Sequence, residues 1–116
     1  MVSVIDAPPL ALSGGLVGDL ALLEAQAGEA AAFLRLLANE KRLLVLCHLL
    51  VEGEADVTSL ARAVGLSQSA LSQHLARLRE DGLVAFRKEA QTAFYRVADP
   101  RAARLLATLK DLFCPP

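Results

Sequence analysis

Two glycines frame the most constraining stretch of this chain, VTSLARAVGLSQSALSQHLARLREDGLV over residues 57–84. Gly65 and Gly82 each follow a short run of helical periodicity, where the residue past a helix end often takes a positive φ that glycine adopts at little cost. The spacing predicts one helix over Thr58–Val64, a tight turn, and a second helix over Ser67–Asp81 that runs into a strand. Ser67 stands where an N-cap is wanted, with a hydroxyl to accept an orphan N–H. The pair reads as a helix-turn-helix.

The second helix divides sharply into faces. Leu71, Leu75 and Leu78 recur at helical spacing and form one apolar stripe. Ser69, Gln73 and Ala76 point the other way, with Ser72 and Arg77 on the flanks. That outward face is small and polar, without a bulky acid before Glu80 and Asp81. A helix entering a DNA major groove needs such a face, because glutamine pairs with adenine edges and serine bonds to bases or phosphates. A solvated face on an ordinary amphipathic helix has the same pattern. The segment after Gly82 tips the balance. Val84–Lys88 and Thr92–Val97 alternate apolar and polar residues around Glu89-Ala90-Gln91, which predicts a β-hairpin. A hairpin directly after a recognition helix is a wing, and its Arg87, Lys88 and Arg96 are placed for DNA phosphates or a minor groove. The plainer role for the hairpin is closing the core.

The other segments read as helices. Asp19–Ala38 is rich in alanine and leucine, with Gly28 as a weak point. Asn39 is a good N-cap for an almost wholly apolar helix over Glu40–Glu52, which predicts a central, buried element. Ala55–Val57 suits a short strand. Asp99-Pro100 marks the start of a last helix to about Phe113, with Leu105, Leu106, Leu109, Leu112 and Phe113 on a broad apolar face. The first and last helices together look like a dimer interface, so a two-fold dimer reading a palindromic site is expected. Residues 1–18, with Pro8, Pro9, Gly14, Gly15 and Gly18, read as a flexible arm, and residues 19–116 as one domain. The expected fold is mainly α with a small β-hairpin wing.

Charge supports this only through its distribution. The net charge is −1, and residues 1–34 hold no Lys or Arg, yet residues 67–96 hold five basic against three acidic residues. No apolar run approaches a membrane span, and no secretory-type N-terminus is visible. The chain is therefore expected in a reducing cytoplasm, with its two cysteines unbridged. No nucleophile–base pair, phosphate loop or metal cluster points to an enzyme.

The segments LANEKRLLVLCHLL, VGLSQSALSQHLARLREDGLV and QTAFYRV resemble the ArsR family of bacterial winged-helix repressors, over about residues 30–114. The resemblance implies a homodimer that represses its operon and leaves its operator when an inducer binds. Metal-sensing members carry a paired-cysteine motif before the helix-turn-helix, whereas only Cys47 stands there in this chain. Others use Asp and His ligands in the last helix, and DPRAARLLATLKDLFC has no histidine. No metal or cofactor is expected, and His48 and His74 have no partner at ligand spacing.

RLLVLCHLLVEGE, SQSALSQHLA, the QT-x-x-Y pattern and a cysteine near the end of the last helix resemble the persulfide-sensing SqrR and BigR branch. This implies that reactive sulfur species join Cys47 to Cys114 through a short polysulfide bridge and that the bridged dimer releases DNA. The residues themselves speak more narrowly. Cys47 has Leu43, Leu44, Leu50 and Val51 within a turn, and apolar surroundings raise a thiol pKa. Cys114 lies at a helix C-terminus, which also disfavours a thiolate, but Lys110 one turn back offsets this. Cys114 is then the first nucleophile and Cys47 the resolving thiol. Two unrelated cysteines, one merely buried, are the alternative.

The expected function is a homodimeric repressor of double-stranded, pseudo-palindromic operator DNA. Gln68, Ser69, Ser72 and Gln73 would read base edges, with His74 and Arg77 peripheral. Arg87, Lys88 and Arg96 would hold the backbone, and Cys47 and Cys114 would sense. A general thiol-redox sensor forming a direct disulfide is one competitor. An interaction module that no longer binds DNA is the other.

Overall fold

The computed structural model describes residues 16–114; residues 1–15, most of the segment expected as an arm, lie outside the described residues, as do residues 115–116. The first helix, α1, spans Leu16–Leu37, so it starts inside that segment and continues through Gly28. The chain forms two compact units, Met1–Arg35 and Leu36–Pro116. The second holds α2 (Glu40–Glu52), β1 (Ala55–Asp56), α3 (Val57–Val64), α4 (Gln68–Glu80), β2 (Val84–Glu89), β3 (Thr92–Val97) and α5 (Pro100–Phe113).

The helix starts coincide with the capping residues. The Asn39 side chain accepts from Arg42 N at 3.1 Å, Asp56 from Ser59 N at 3.1 Å, Ser67 from Ala70 N at 3.1 Å and Asp99 from Arg101 N at 2.8 Å. Each such cap is worth about 1 kcal/mol. Gly65 and Gly82 take φ of 71° and 78°, the left-handed backbone their positions demanded. The end of α3 has a second fastening, because Lys41 Nζ donates to the Val64 carbonyl at 3.1 Å.

The leucine stripe of α4 is the centre of the second unit. Leu71, Leu75 and Leu78 are wholly buried with Val45, Leu46 and Leu49 of α2, Leu60 of α3, and Leu83 and Val84 at the entry to the wing. Burying each such side chain contributes about 1.5–3 kcal/mol, so this cluster fixes how α4 sits. Ala102 and Leu106 bring α5 into the same core. The strands form one antiparallel sheet in the order β1-β3-β2. β2 and β3 pair from Val84↔Val97 to Glu89↔Thr92, and β1 adds Ala55↔Tyr95 on the other edge of β3. The wing is thus tied to the strand that leads into α3.

One expectation is corrected. α2 is apolar nearly all round, which predicted full burial, but only Val45, Leu46 and Leu49 are buried. Leu44 and Leu50 are each 38% exposed, Val51 is 82% exposed, and Cys47 is also exposed. α3 and β3 pack against one side of α2, and composition alone does not say which side.

Candidate nucleic-acid interface and thiol groove

Burial of the leucine stripe turns the opposite side of α4 outward. Gln68, Ser69, Ser72, Gln73, Ala76 and Arg77 are all exposed. Their neighbours differ. Gln68 Nε2 donates to Thr58 Oγ1 at 3.2 Å, so this side chain braces α4 against α3. Ser69 Oγ lies 3.4 Å from the Ser67 hydroxyl that caps the helix. Arg77 Nε pairs with Asp81 at 3.2 Å one turn on, an exposed ion pair that surrounding water keeps weak.

His74 turns to the other flank. It is half-buried, and its Nδ1 accepts from Arg42 Nε of α2 at 3.3 Å. Burial, and then the Arg42 charge, hold its pKa below the ordinary 6.5. Both favour the neutral ring, whose unprotonated nitrogen is what Arg42 needs as an acceptor. His74 therefore links α2 to α4.

The wing cations also differ among themselves. Arg87 Nε and Nη2 donate to the Glu54 carboxylate at 2.8 and 2.9 Å, and Nη1 donates to Glu89 at 3.0 Å. Its guanidinium also stacks 4.8 Å from the centre of the Phe94 ring. The same contact holds the Glu54 pKa down, chiefly through the hydrogen bond from Arg87. A phosphate at Arg87 must displace carboxylates that already satisfy it. Lys88 and Arg96 are exposed on the strands beside it. Arg79 lies over Phe86 at 5.0 Å, and Phe86 meets Tyr95 at 5.3 Å, so an aromatic cluster stiffens the base of the wing.

A second feature lies between α2 and α5. Cys47 and Cys114 line the same groove, of about 750 Å³, with Leu43, Leu50, Leu106, Leu109 and Phe113 among its walls. Cys47 is solvent-accessible, yet its thiol is pushed up, first by burial and then by the charge of Cys114. The two facts agree because its open side faces hydrocarbon walls rather than bulk water. The groove thus brings together two cysteines from distant parts of the chain. Both thiols are unbridged. Lys110 lines the groove one turn before Cys114. Among the described residues no His, Cys, Asp or Glu cluster is placed to hold a metal, and no helix is long and apolar enough to cross a membrane.

Local sequence reasoning missed Arg42, Thr58 and Glu54, the partners of His74, Gln68 and Arg87. No short-range signal could have found them, since their partners lie 32, 10 and 33 residues away.

A helix-turn-helix with a polar outward face on α4, followed by a β2–β3 wing that completes a three-stranded sheet, defines the class of DNA-binding transcription regulators. Residues 39–85 match the model of the bacterial regulatory proteins of the arsR family. The chain is 42% identical to the regulator YgaV of Escherichia coli over 97 residues, which is 84% of this chain and 98% of that protein. It is 46% identical over 96 residues to the transcriptional activator HlyU of Vibrio cholerae, 83% of this chain and 88% of that one. The crystal structure of the transcriptional repressor BigR from Xylella fastidiosa superposes with a TM-score of 0.77 at 38% identity, covering 84% of this chain and 98% of that chain. The chain belongs to the ArsR family and is a transcription regulator, not an enzyme.

Proposed function

We propose that this chain is a homodimeric repressor that releases its operator when reactive sulfur species join Cys47 to Cys114. The observation that carries this reading is the shared groove: two free thiols from α2 and the end of α5 line one apolar cleft. Similarity to the repressor BigR supports repression, although another relative, HlyU, is an activator. α1 exposes Leu22 and Leu23 at 67% and 57%, and α5 exposes Leu112 at 69%. Each is apolar surface that a second copy would cover, giving the two-fold arrangement a palindromic operator requires.

The chemistry balances with persulfides alone. Each thiol takes the outer sulfur of R–S–SH and releases R–SH, giving Cys–S–SH. Two such groups condense to Cys47–S–S–S–Cys114 with loss of H₂S. Each extra sulfur lengthens the tether beyond the strict span of a disulfide. A tether from α2 to α5 acts on the helix whose Arg42 holds His74 of α4, so strain at the groove has a route to the DNA face. In the dimer it also shifts one recognition helix relative to the other. A change of 1.4 kcal/mol is about tenfold in affinity, so a modest shift suffices for release.

The test is fluorescence anisotropy on duplex DNA from upstream of the chain's own gene. Tight, salt-sensitive binding should fall on treatment with a persulfide donor and return with dithiothreitol. Cys47→Ser and Cys114→Ser should each bind DNA but ignore the donor. A bare disulfide and equal release under peroxide would favour general redox sensing. No specific binding in any redox state would favour an interaction module.

A further inference from the structure

The thiol groove is more particular than thiol exchange needs. A small inorganic sulfur donor requires only a reachable thiolate. Here the thiols sit in a cleft of about 750 Å³ whose other walls are hydrocarbon, apart from Lys110, the one charged side chain among the described lining residues. That volume lies in the range of small-molecule sites. The cleft matches a ligand with an apolar body and an anionic head.

We propose that the groove binds an apolar organic persulfide, R–S–S⁻, with R along Leu43, Leu50 and Leu106 and the sulfur end held by Lys110 between the two thiols. This rests on the thiol-sensing reading and adds a substrate class to it. A persulfide is a stronger acid than a thiol and is largely anionic near neutral pH, which suits the lysine. The hydrophilic persulfides of charged peptides match the lysine but not the walls. Each methylene moved from water into the groove strengthens binding by about fourfold. The transfer step is balanced: Cys114–SH and R–S–S⁻ give Cys114–S–SH and R–S⁻. The Cys114 proton first passes to the persulfide, the resulting thiolate attacks the outer sulfur of R–S–SH, one S–S bond breaks as another forms, R–S⁻ leaves, and no outside oxidant is needed.

The test uses the full chain and two donors, octyl persulfide and glutathione persulfide, each generated in place. Intact mass gives the rate of sulfur transfer, normalised to the same donor acting on free N-acetylcysteine. The octyl donor should be favoured by at least ~10-fold and should lose this advantage stepwise down to ethyl. Leu50→Gln should remove most of the advantage, bringing the normalised octyl rate close to that of glutathione persulfide in the same variant. Lys110→Gln should slow octyl persulfide several-fold more than neutral dioctyl trisulfide. Octane-1-sulfonate, unreactive but similar in tail and charge, should compete with octyl persulfide. Equal normalised rates, or no dependence on chain length, would overturn the apolar preference while sulfur sensing stands. Failure of every donor to transfer sulfur would instead overturn the sensing reading, and this inference with it.

Discussion

The two working faces of the molecule are built in opposite ways. Around α4 and the wing, many polar side chains are held by others: Ser67 caps its helix, Gln68 braces Thr58, and Arg87 is clasped by Glu54 and Glu89. Between α2 and α5, apolar side chains stay exposed around two free thiols. A surface that must present the same shape to every copy of an operator gains from being fixed in advance. A surface that must change when a small molecule arrives gains from unsatisfied hydrocarbon and reactive sulfur. Beside the shared apolar core, a single polar side-chain contact among the described residues, the Arg42–His74 hydrogen bond, joins α2 to α4.

This contrast can be broken from either side. The largest effect belongs to the core beneath the DNA face. Leu75→Ala, at a site with no exposure, should cost about 2–5 kcal/mol in urea unfolding. Val51→Ser on the groove side, 82% exposed, should stay within about 0.5 kcal/mol. Equal costs would mean that Val51 is covered in solution. Next, Gln73→Ala should weaken operator binding by about 1–3 kcal/mol with an unchanged melting temperature. A smaller loss, about 1 kcal/mol of stability, is expected for Ser67→Ala, which removes the α4 cap.

Much of this was legible in the chain itself. Asn39, Ser67 and Asp99 announced their helices because a cap is decided within a few residues, and the alternation in Val84–Val97 announced the wing for the same reason. The stripe Leu71, Leu75 and Leu78 predicted which face of α4 would be buried. The burial of α2 was not legible, because a helix apolar on all sides carries no record of which side its neighbours cover. Nor were the ties from Arg42 to His74 and from Glu54 to Arg87, which depend on the packed fold. The result is a sharper division among the expected DNA contacts. All but His74 are exposed, and Gln68, Ser69, His74, Arg77 and Arg87 already have side-chain hydrogen-bond partners within the chain.

The smallest effect tests the link between the faces. The folded pKa of His74 lies below its unfolded value, so the unfolded chain takes up this proton first as pH falls. The stability it contributes is whole above the ordinary 6.5 and is lost as pH drops through that value toward the lowered one. Unfolding free energies from about pH 7.5 to about pH 5.5 should slope less in His74→Gln than in the parent chain. Identical slopes would mean that His74 carries no such link.

The central claim is that Cys47 and Cys114 are near enough within one protomer to be tethered by sulfur. The most direct measurement is intact mass and peptide mapping of the chain after treatment with a persulfide donor. The expected product gains at least one sulfur atom, loses two hydrogens, and yields the Cys47 and Cys114 peptides as one linked species from a single chain. Two separate persulfides that never condense, or a link found only between chains, would contradict it.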